Sequence, residues 1–561
     1  MADASTQAPP PARMTAAGAL TLLLFLAAAV FRLRGLSWDE GMMFHPDERN
    51  LATAAARLSW PDGLVPDFHA YNGLALFLPR LLAEALASVG ILGATGVPEI
   101  AWCARLLSAF LSLAAVFAIY RTARDLFDEE TAALAAFLAA FSPGLVQAAH
   151  FGTTESGLVL VVSLLMLVSV RHVGTQIANP SAALLYGLIL GFGLGLKTTA
   201  AAFALIPIFS FSLARTGTMV QRFGWLAAAG VLSVLVLLAT TPQILLNPQA
   251  YLDTMIFEGG VVRGTVDVFW TYQFHGATNV LFELRQIPWL LDPVSAVFIV
   301  PGLIIVAWQA VRGGGRPRLL FPALAAGLIY FGLVSGWHAK FIRYLVPLLP
   351  LFIMAVACAW FATGRKWGLA LRRPLTALIV FSMLIYGFMQ AGLYLRRDSR
   401  ISAWTFLLAN MQKGDTLLVE PVEVGPPLGG AEKLSLRVAV LPLIEPSGPA
   451  KMETLAGVLA SGDWMIIASR RHHRVLPHMR ARFPEMCGYY DALWSGRLGY
   501  ELLERFNRRA QGVVSVLDPV AIAEETFSVF DSPEVFIFRN ARRARMEDIR
   551  RELGNVPPGC R

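Results

Sequence analysis

Phe44-His45-Pro46-Asp47-Glu48-Arg49-Asn50 places two adjacent carboxylates, a histidine and an arginine a few residues beyond a long apolar run. A carboxylate held near a reacting hydroxyl can take its proton as a new bond forms. Pro46 suits the first turn of a helix, where its missing N–H costs nothing. Leu51, Ala54, Ala55 and Leu58 follow at three-to-four spacing, which predicts an amphipathic helix. Asp47 and Glu48 then fall in its first turn, where the macrodipole favours negative charge. The same residues would also suit a capped, solvated helix at a membrane surface, and the segment alone does not choose.

Two further clusters carry chemistry-bearing residues. His150-Phe151-Gly152-Thr153-Thr154-Glu155 sits at the junction of two apolar runs. A carboxylate there is costly unless it faces a polar cavity or a partner, although Thr153, Thr154 and Glu155 would also cap a helix. His338-Ala339-Lys340-Phe341-Ile342-Arg343-Tyr344 concentrates positive charge between two other runs. Lys340, Arg343 and Tyr344 would suit a lipid-borne phosphate, or the cations would snorkel to head groups. Lys197, at the end of one run, and Arg105, just inside another, are weaker phosphate-binding candidates. His45, His150, Arg263 and His338 are candidate substrate-loop residues around them.

The elements that must position these groups are membrane spans. The 561-residue chain is 56% hydrophobic and only 15% charged, with a mean hydropathy of +0.56, whereas soluble domains carry about 25% charged residues. About eleven spans are expected, near 15–33, 101–121, 131–149, 155–171, 181–196, 198–214, 223–241, 292–310, 318–336, 341–362 and 374–394. Residues 1–14 read as a disordered cytoplasmic tail and 15–395 as the membrane domain. Residues 396–561 have ordinary soluble composition, with buried strands expected at 416–419, 464–468 and 535–538 and an α/β or α+β arrangement.

Basic residues in the short loops orient the chain. Arg121/Arg124, Arg171/His172, Arg215/Arg222, Arg312/Arg316/Arg318 and Arg365/Lys366/Arg372/Arg373 alternate as a cytoplasmic set would. The long loops 34–100 and 242–291, the three clusters and the soluble domain then face outward, which is the periplasm in a Gram-negative cell. The net charge of +8 is absorbed by this pattern and does not point to nucleic acid. Cys103 and Cys358 read as packed thiols, and Cys487 and Cys560 could pair if their domain lies outside the cytosol.

Outward acids, cations at membrane level and an external domain together suit transfer of a group from a lipid phosphate to a hydroxyl. Fixed cations stabilise the phosphate charge as it develops, and no GxxxxGK[ST] loop points to a nucleotide donor. HPDERN, HFGTTES and HAKFIRYLVPLLP, in this order, resemble the bacterial phospholipid-carrier-dependent glycosyltransferases of the GT-C superfamily. These are relatives of the protein O-mannosyltransferases and the lipid A aminoarabinose transferases. YYDALWSGRLGY and ETFSVFDSPEVFIF resemble the tail of several bacterial members.

The resemblance implies a polyprenyl-phosphate-linked sugar as donor, an inverting displacement, and an acceptor that is a protein, a lipid or a glycan. It implies Asp47 as base with Glu48 beside it, Glu155 as the second acid where Asp is typical, and Lys340 and Arg343 as donor-phosphate ligands. No obligatory metal is expected, although a divalent ion serves many members of the superfamily. A bacterial cytoplasmic membrane is the expected location. The competing reading is a transporter or flippase of polyprenyl-linked substrates, for which the Gly-rich Gly191–Lys197 stretch would be a broken midplane helix.

Overall fold

A computed structural model of the chain describes residues 16–60, 63–277, 279–364, 369–421, 425–509, 517–518, 522–555, 557 and 560. The tail expected at 1–14 lies outside them. Among the described residues, eight helices are long and apolar enough to cross a membrane, and one bent pair adds a ninth. The shorter apolar helices Gly18–Leu33 and Thr198–Leu213 bring the apolar elements to eleven, at the positions expected. The chain is a multi-pass membrane protein.

The bend is a proline effect. Helix α5 (Glu129–Phe141) turns by 48° into α6 (Pro143–His150). Pro143 has no N–H to give the carbonyl four residues back, and Arg32 supplies the missing donor. Its guanidinium reaches Ala139 O at 2.8 Å and Ala140 O at 2.9 Å. A buried arginine on α1 (Ala16–Leu33) thus repairs a break on α5. The span beginning at Ile342 is the most deeply buried, at 89%, so Arg343 sits where the central helix starts.

The glycines near 191 make helix contacts rather than a hinge. A Cβ at Gly191 would stand 2.5 Å from Val236 Cβ, and one at Gly187 would stand 2.7 Å from Leu232. The helix Asn179–Leu196 therefore packs its small face on Met219–Thr240, and the stretch has a packing explanation that needs no transport step.

Among the described residues the C-terminal region forms one five-stranded sheet of Thr416–Val419 (β1), Arg437–Val440 (β2), Trp464–Ile467 (β3), Tyr500–Phe506 (β4) and Val535–Asn540 (β5), in the order β2-β1-β3-β5-β4. Strands β1, β2 and β3 are parallel. Strand β5 runs antiparallel to both β3 and β4. The three central strands were legible as apolar runs. The edge strands β2 and β4 are largely exposed and lack that signal. Cys487 and Cys560 form a disulfide, while Cys103 and Cys358 are buried thiols. Trp464, Tyr489 and Tyr490 are core residues of this region.

Buried acid and imidazole meet at the carboxyl ends of β1 and β3. Tyr490 donates to Glu420 at 2.7 Å, and burial pushes the Glu420 carboxyl up to about 8. His472 Nδ1 lies 3.8 Å from that carboxyl, and burial pushes its imidazole down to about 3. Both side chains are therefore neutral at pH 7. Relative to the ordinary 4.5, the folded chain binds the extra Glu420 proton up to pH about 8, so stability falls as pH rises through that window. His472 acts oppositely between about 3 and its ordinary 6.5. The two slopes offset each other from about 4.5 to 6.5, and the loss shows above that. Thermal unfolding at pH 6.5 and 8 should show the wild-type melting temperature falling and Glu420→Gln flattening the fall. An equal slope in both would remove Glu420 from the account.

Candidate active site

The predicted helix is α2 (Pro46–Ala56), with Pro46 at its first position and Leu51, Ala54 and Ala55 buried. Adjacent helical residues point about 100° apart, so its two acids face different neighbours. Glu48 is fully buried and receives Arg105 Nε at 2.9 Å, a second Arg105 nitrogen, and Gly152 N at 2.6 Å. Arg105, on α4 (Val97–Leu126), also grips Asp39 through two nitrogens and Leu36 O at 2.8 Å. Its guanidinium lies 5.0 Å from the Trp38 ring centre. Burial raises the Glu48 carboxyl while Arg105 draws it back down. The result is a closed clasp of one cation and two acids that joins the first loop to α4.

Asp47 looks the other way. Its carboxylate receives Tyr71 Oη at 3.1 Å and an Arg343 nitrogen, with about a quarter of each side chain exposed (23% and 26%). Arg343 Nε has no acceptor among the described residues. Beside this pair, Lys197 Nζ lies 3.4 Å from Glu155 and 5.0 Å from the Tyr71 ring centre. His45, the residue before α2, is held between Phe151 (4.6 Å) and Phe530 (4.3 Å). Burial, then Arg343, Arg105 and Lys197, hold its imidazole well below the usual range, so it is neutral. His45, Thr153, Glu155, Arg343, Thr526 and Phe530 line one narrow cleft of about 30 Å³, room for a water or two.

The structure thus brings Asp47, Glu155, Lys197, Arg343 and His45 together, with Tyr344 following Arg343, and gives other predicted residues different work. Arg105 is not placed for a donor phosphate, because its nitrogens are taken by Asp39, Glu48 and Leu36 O. Glu48 is spent in the same clasp and is closed to substrate. Lys340 is buried, with Nζ donating to Ser335 O at 2.6 Å and Trp337 O at 2.5 Å, so it braces the turn before Arg343 rather than facing the cleft. His150 is fully buried, bonded to Val146 O and Arg34 O and stacked on Tyr394 at 3.7 Å. His338 packs against Gly264 and donates its backbone N–H to Val262 O at 3.0 Å. Arg263 is exposed at the end of helix Pro248–Arg263. Thr154 precedes helix Glu155–Val173 without a side-chain capping bond, so a cap does not explain that cluster.

Sequence reading did not single out Asp39, Tyr71, Glu524, Thr526 or Phe530 as site residues, although Thr526 and Phe530 lie in ETFSVFDSPEVFIF. Asp39 and Tyr71 lie in loops without periodicity, and the others come from some 480 residues away. The carboxylates around the site are Asp39, Asp47, Glu48 and Glu155. Each is matched by Arg105, Arg343 or Lys197, and among the described residues no three His, Cys, Asp or Glu side chains converge.

Two substitutions check the clasp. Arg105→Met strands two buried acids and should cost about 3–5 kcal/mol of stability. A Cβ at Gly152 would stand 2.8 Å from Ala104 Cβ and 3.0 Å from Glu48 Cγ, so Gly152→Ala should also destabilise. Melting temperatures in detergent measure both. Full stability in Arg105→Met would return Arg105 to the list of substrate ligands.

Residues 95–240 match the family described as dolichyl-phosphate-mannose-protein mannosyltransferase. No curated protein sequence matches the chain. Among solved structures, the oligosaccharyltransferase AglB from Archaeoglobus fulgidus, in complex with an inhibitory peptide and a dolichol-phosphate, aligns at 12% identity. That alignment covers 84% of this chain and 72% of AglB, with a TM-score of 0.49. ArnT from Cupriavidus metallidurans, bound to undecaprenyl phosphate, aligns at 14% identity over 94% and 99% of the two chains, with a TM-score of 0.47. The S. cerevisiae protein O-mannosyltransferase Pmt1-Pmt2 complex aligns at 17% identity over 44% and 34%, with a TM-score of 0.30. The match over 95–240 spans α4 to the helix ending at Thr240, so the part of the chain that resembles this family carries Arg105, Glu155 and Lys197.

Proposed function

We propose that this chain moves a sugar from a polyprenyl-phosphate carrier to an acceptor hydroxyl, with inversion, on the outer face of a bacterial cytoplasmic membrane. The observation that carries the reading is the partly exposed Asp47 beside Arg343, whose Nε–H has no acceptor among the described residues. The donor phosphate takes Arg343 over from Asp47, which opens the narrow cleft and frees a carboxylate oxygen. The acceptor oxygen then bonds to the anomeric carbon from the side opposite the phosphate, and Asp47 takes its proton. The bond from the anomeric carbon to the phosphate oxygen breaks, and the carrier leaves as polyprenyl phosphate. Arg343, with Lys197 held nearby by Glu155, offsets the charge that grows on the leaving group. Tyr71 fixes the Asp47 carboxylate by its hydrogen bond.

The outward orientation is supported by the alternating basic loops and by the Cys487–Cys560 disulfide, a bond favoured outside the cytosol. The reading uses no metal ion, and it leaves the sugar and the acceptor class to experiment.

Purified protein in detergent, given radiolabelled polyprenyl-phosphate sugars and a membrane-extract acceptor pool, should transfer label. Asp47→Asn should lower kcat by roughly 10²–10⁴-fold, the usual worth of a positioned base, while still binding donor. Arg343→Ala should lower donor affinity as well as rate. Equal transfer by wild type and Asp47→Asn would remove Asp47 from the chemistry. Movement of labelled lipid across liposomes without any transfer would point to a transporter instead.

A further inference from the structure

One short segment of the C-terminal region touches the residues next to both members of the Asp47–Arg343 pair. Phe530 packs its ring 4.3 Å from His45, two residues before Asp47. Glu524 accepts the backbone N–H of Ile342 at 3.0 Å, one residue before Arg343. Between them, Thr526 and Phe530 line the cleft itself.

The segment is tied down from three directions. The bundle holds it through Asp531, which accepts from Tyr394 Oη at 2.8 Å, Gln147 Nε2 at 3.0 Å and Gln390 Nε2 at 3.2 Å. Gln147 also donates to Phe527 O at 2.9 Å. The long loop holds it through Gln273, which donates to Glu524 at 2.6 Å, and Gln286, which accepts Glu524 N at 2.8 Å. The sheet region holds it through Arg470, donating to Ala523 O at 2.8 Å, and Arg400, donating to Phe530 O at 2.6 Å. Arg400 also covers the Phe44 ring at 3.7 Å, so residues 44 and 45 are gripped together.

Solubility or anchoring of an outer domain explains none of this. Glu524 and Asp531 are buried acids among polar partners drawn from the bundle and the loop, and such groups are costly to bury unless each bond is made. The two contacts of the strap thus fall one and two residues from the halves of one ion pair. We propose that residues 523–532 are a positioning strap, through which the C-terminal region sets the spacing between the acid at 47 and the cation at 343. Glu524 acts through Arg343 and Phe530 acts through His45, and neither needs to touch the reacting atoms. The inference rests on the glycosyl-transfer reading and adds to it a required role for the C-terminal region.

A double-mutant cycle tests it in the full-length protein, with the transfer assay above. Glu524→Ala should lower kcat about tenfold or more. Glu524→Gln, which keeps one acceptor oxygen, should recover much of that. In an Arg343→Lys background, Glu524→Ala should cost much less than it does alone, because it acts by placing the group already replaced. Equal costs in both backgrounds would show a general structural effect and overturn the strap. If Glu524→Ala is not recovered folded, Phe530→Leu with His45→Ala makes the same cycle without removing a hydrogen bond, and additivity there overturns the proposal equally. Wild-type protein without transfer would fail the underlying reading. Active wild type and inactive Asp47→Asn, with Glu524→Ala and Phe530→Leu both at full rate, would fail the strap alone.

Discussion

A guanidinium sealed between two carboxylates is the constraint from which the site is built. Arg105 holds Asp39 and Glu48 where water does not reach, with Gly152 N and Leu36 O completing the set. Buried charges of this kind contribute little net stability when all partners are present, and they penalise any arrangement in which one is missing. The clasp therefore specifies geometry more than it adds free energy. It locks the loop before α2 onto α4 and the 150–155 turn, and so fixes the direction in which the first turn of α2 presents Asp47.

That turn sends two neighbouring carboxylates into different surroundings. Glu48 is closed in by α4, while Asp47, one residue earlier, is partly exposed and pairs with Tyr71 and with Arg343, which lines the cleft. The helix rotation between neighbours is enough to divide a sealed acid from a partly exposed one. The cations divide in the same way. Lys340 is consumed by carbonyls of the turn it stabilises, and Arg343, three residues on, reaches Asp47. Each loop thus spends one charge on its own shape and leaves one at the cleft.

The break at Pro143 and the strap at 523–532 show the same economy at longer range. A carbonyl freed by a proline is met by Arg32 from another helix, and the acids of the strap are met by glutamines and a tyrosine of the bundle and the long loop. Polar groups inside an apolar bundle need partners, so each such contact fixes a distance between segments far apart in the chain.

Apolar run length, basic loops and turn residues are local signals, and they sufficed for the membrane helices, the start of α2 at Pro46 and the three central strands. HPDERN, HFGTTES and HAKFIRYLVPLLP likewise marked the segments that form the site, because those residue types are unusual beside apolar runs. Edge strands β2 and β4 were not legible, since exposed strands have no apolar run to reveal them. Which charges pair was not legible either. Helix rotation and partners 57 and 296 residues away choose between Asp47 and Glu48 and make Arg105 a brace, and the carbonyls of its own turn take Lys340 and leave Arg343. The sequence by itself determined the elements and the inventory of charge. Only the tertiary structure decided which charges neutralise one another and which remain at the cleft, because burial and pairing depend on neighbours that chain order does not reveal.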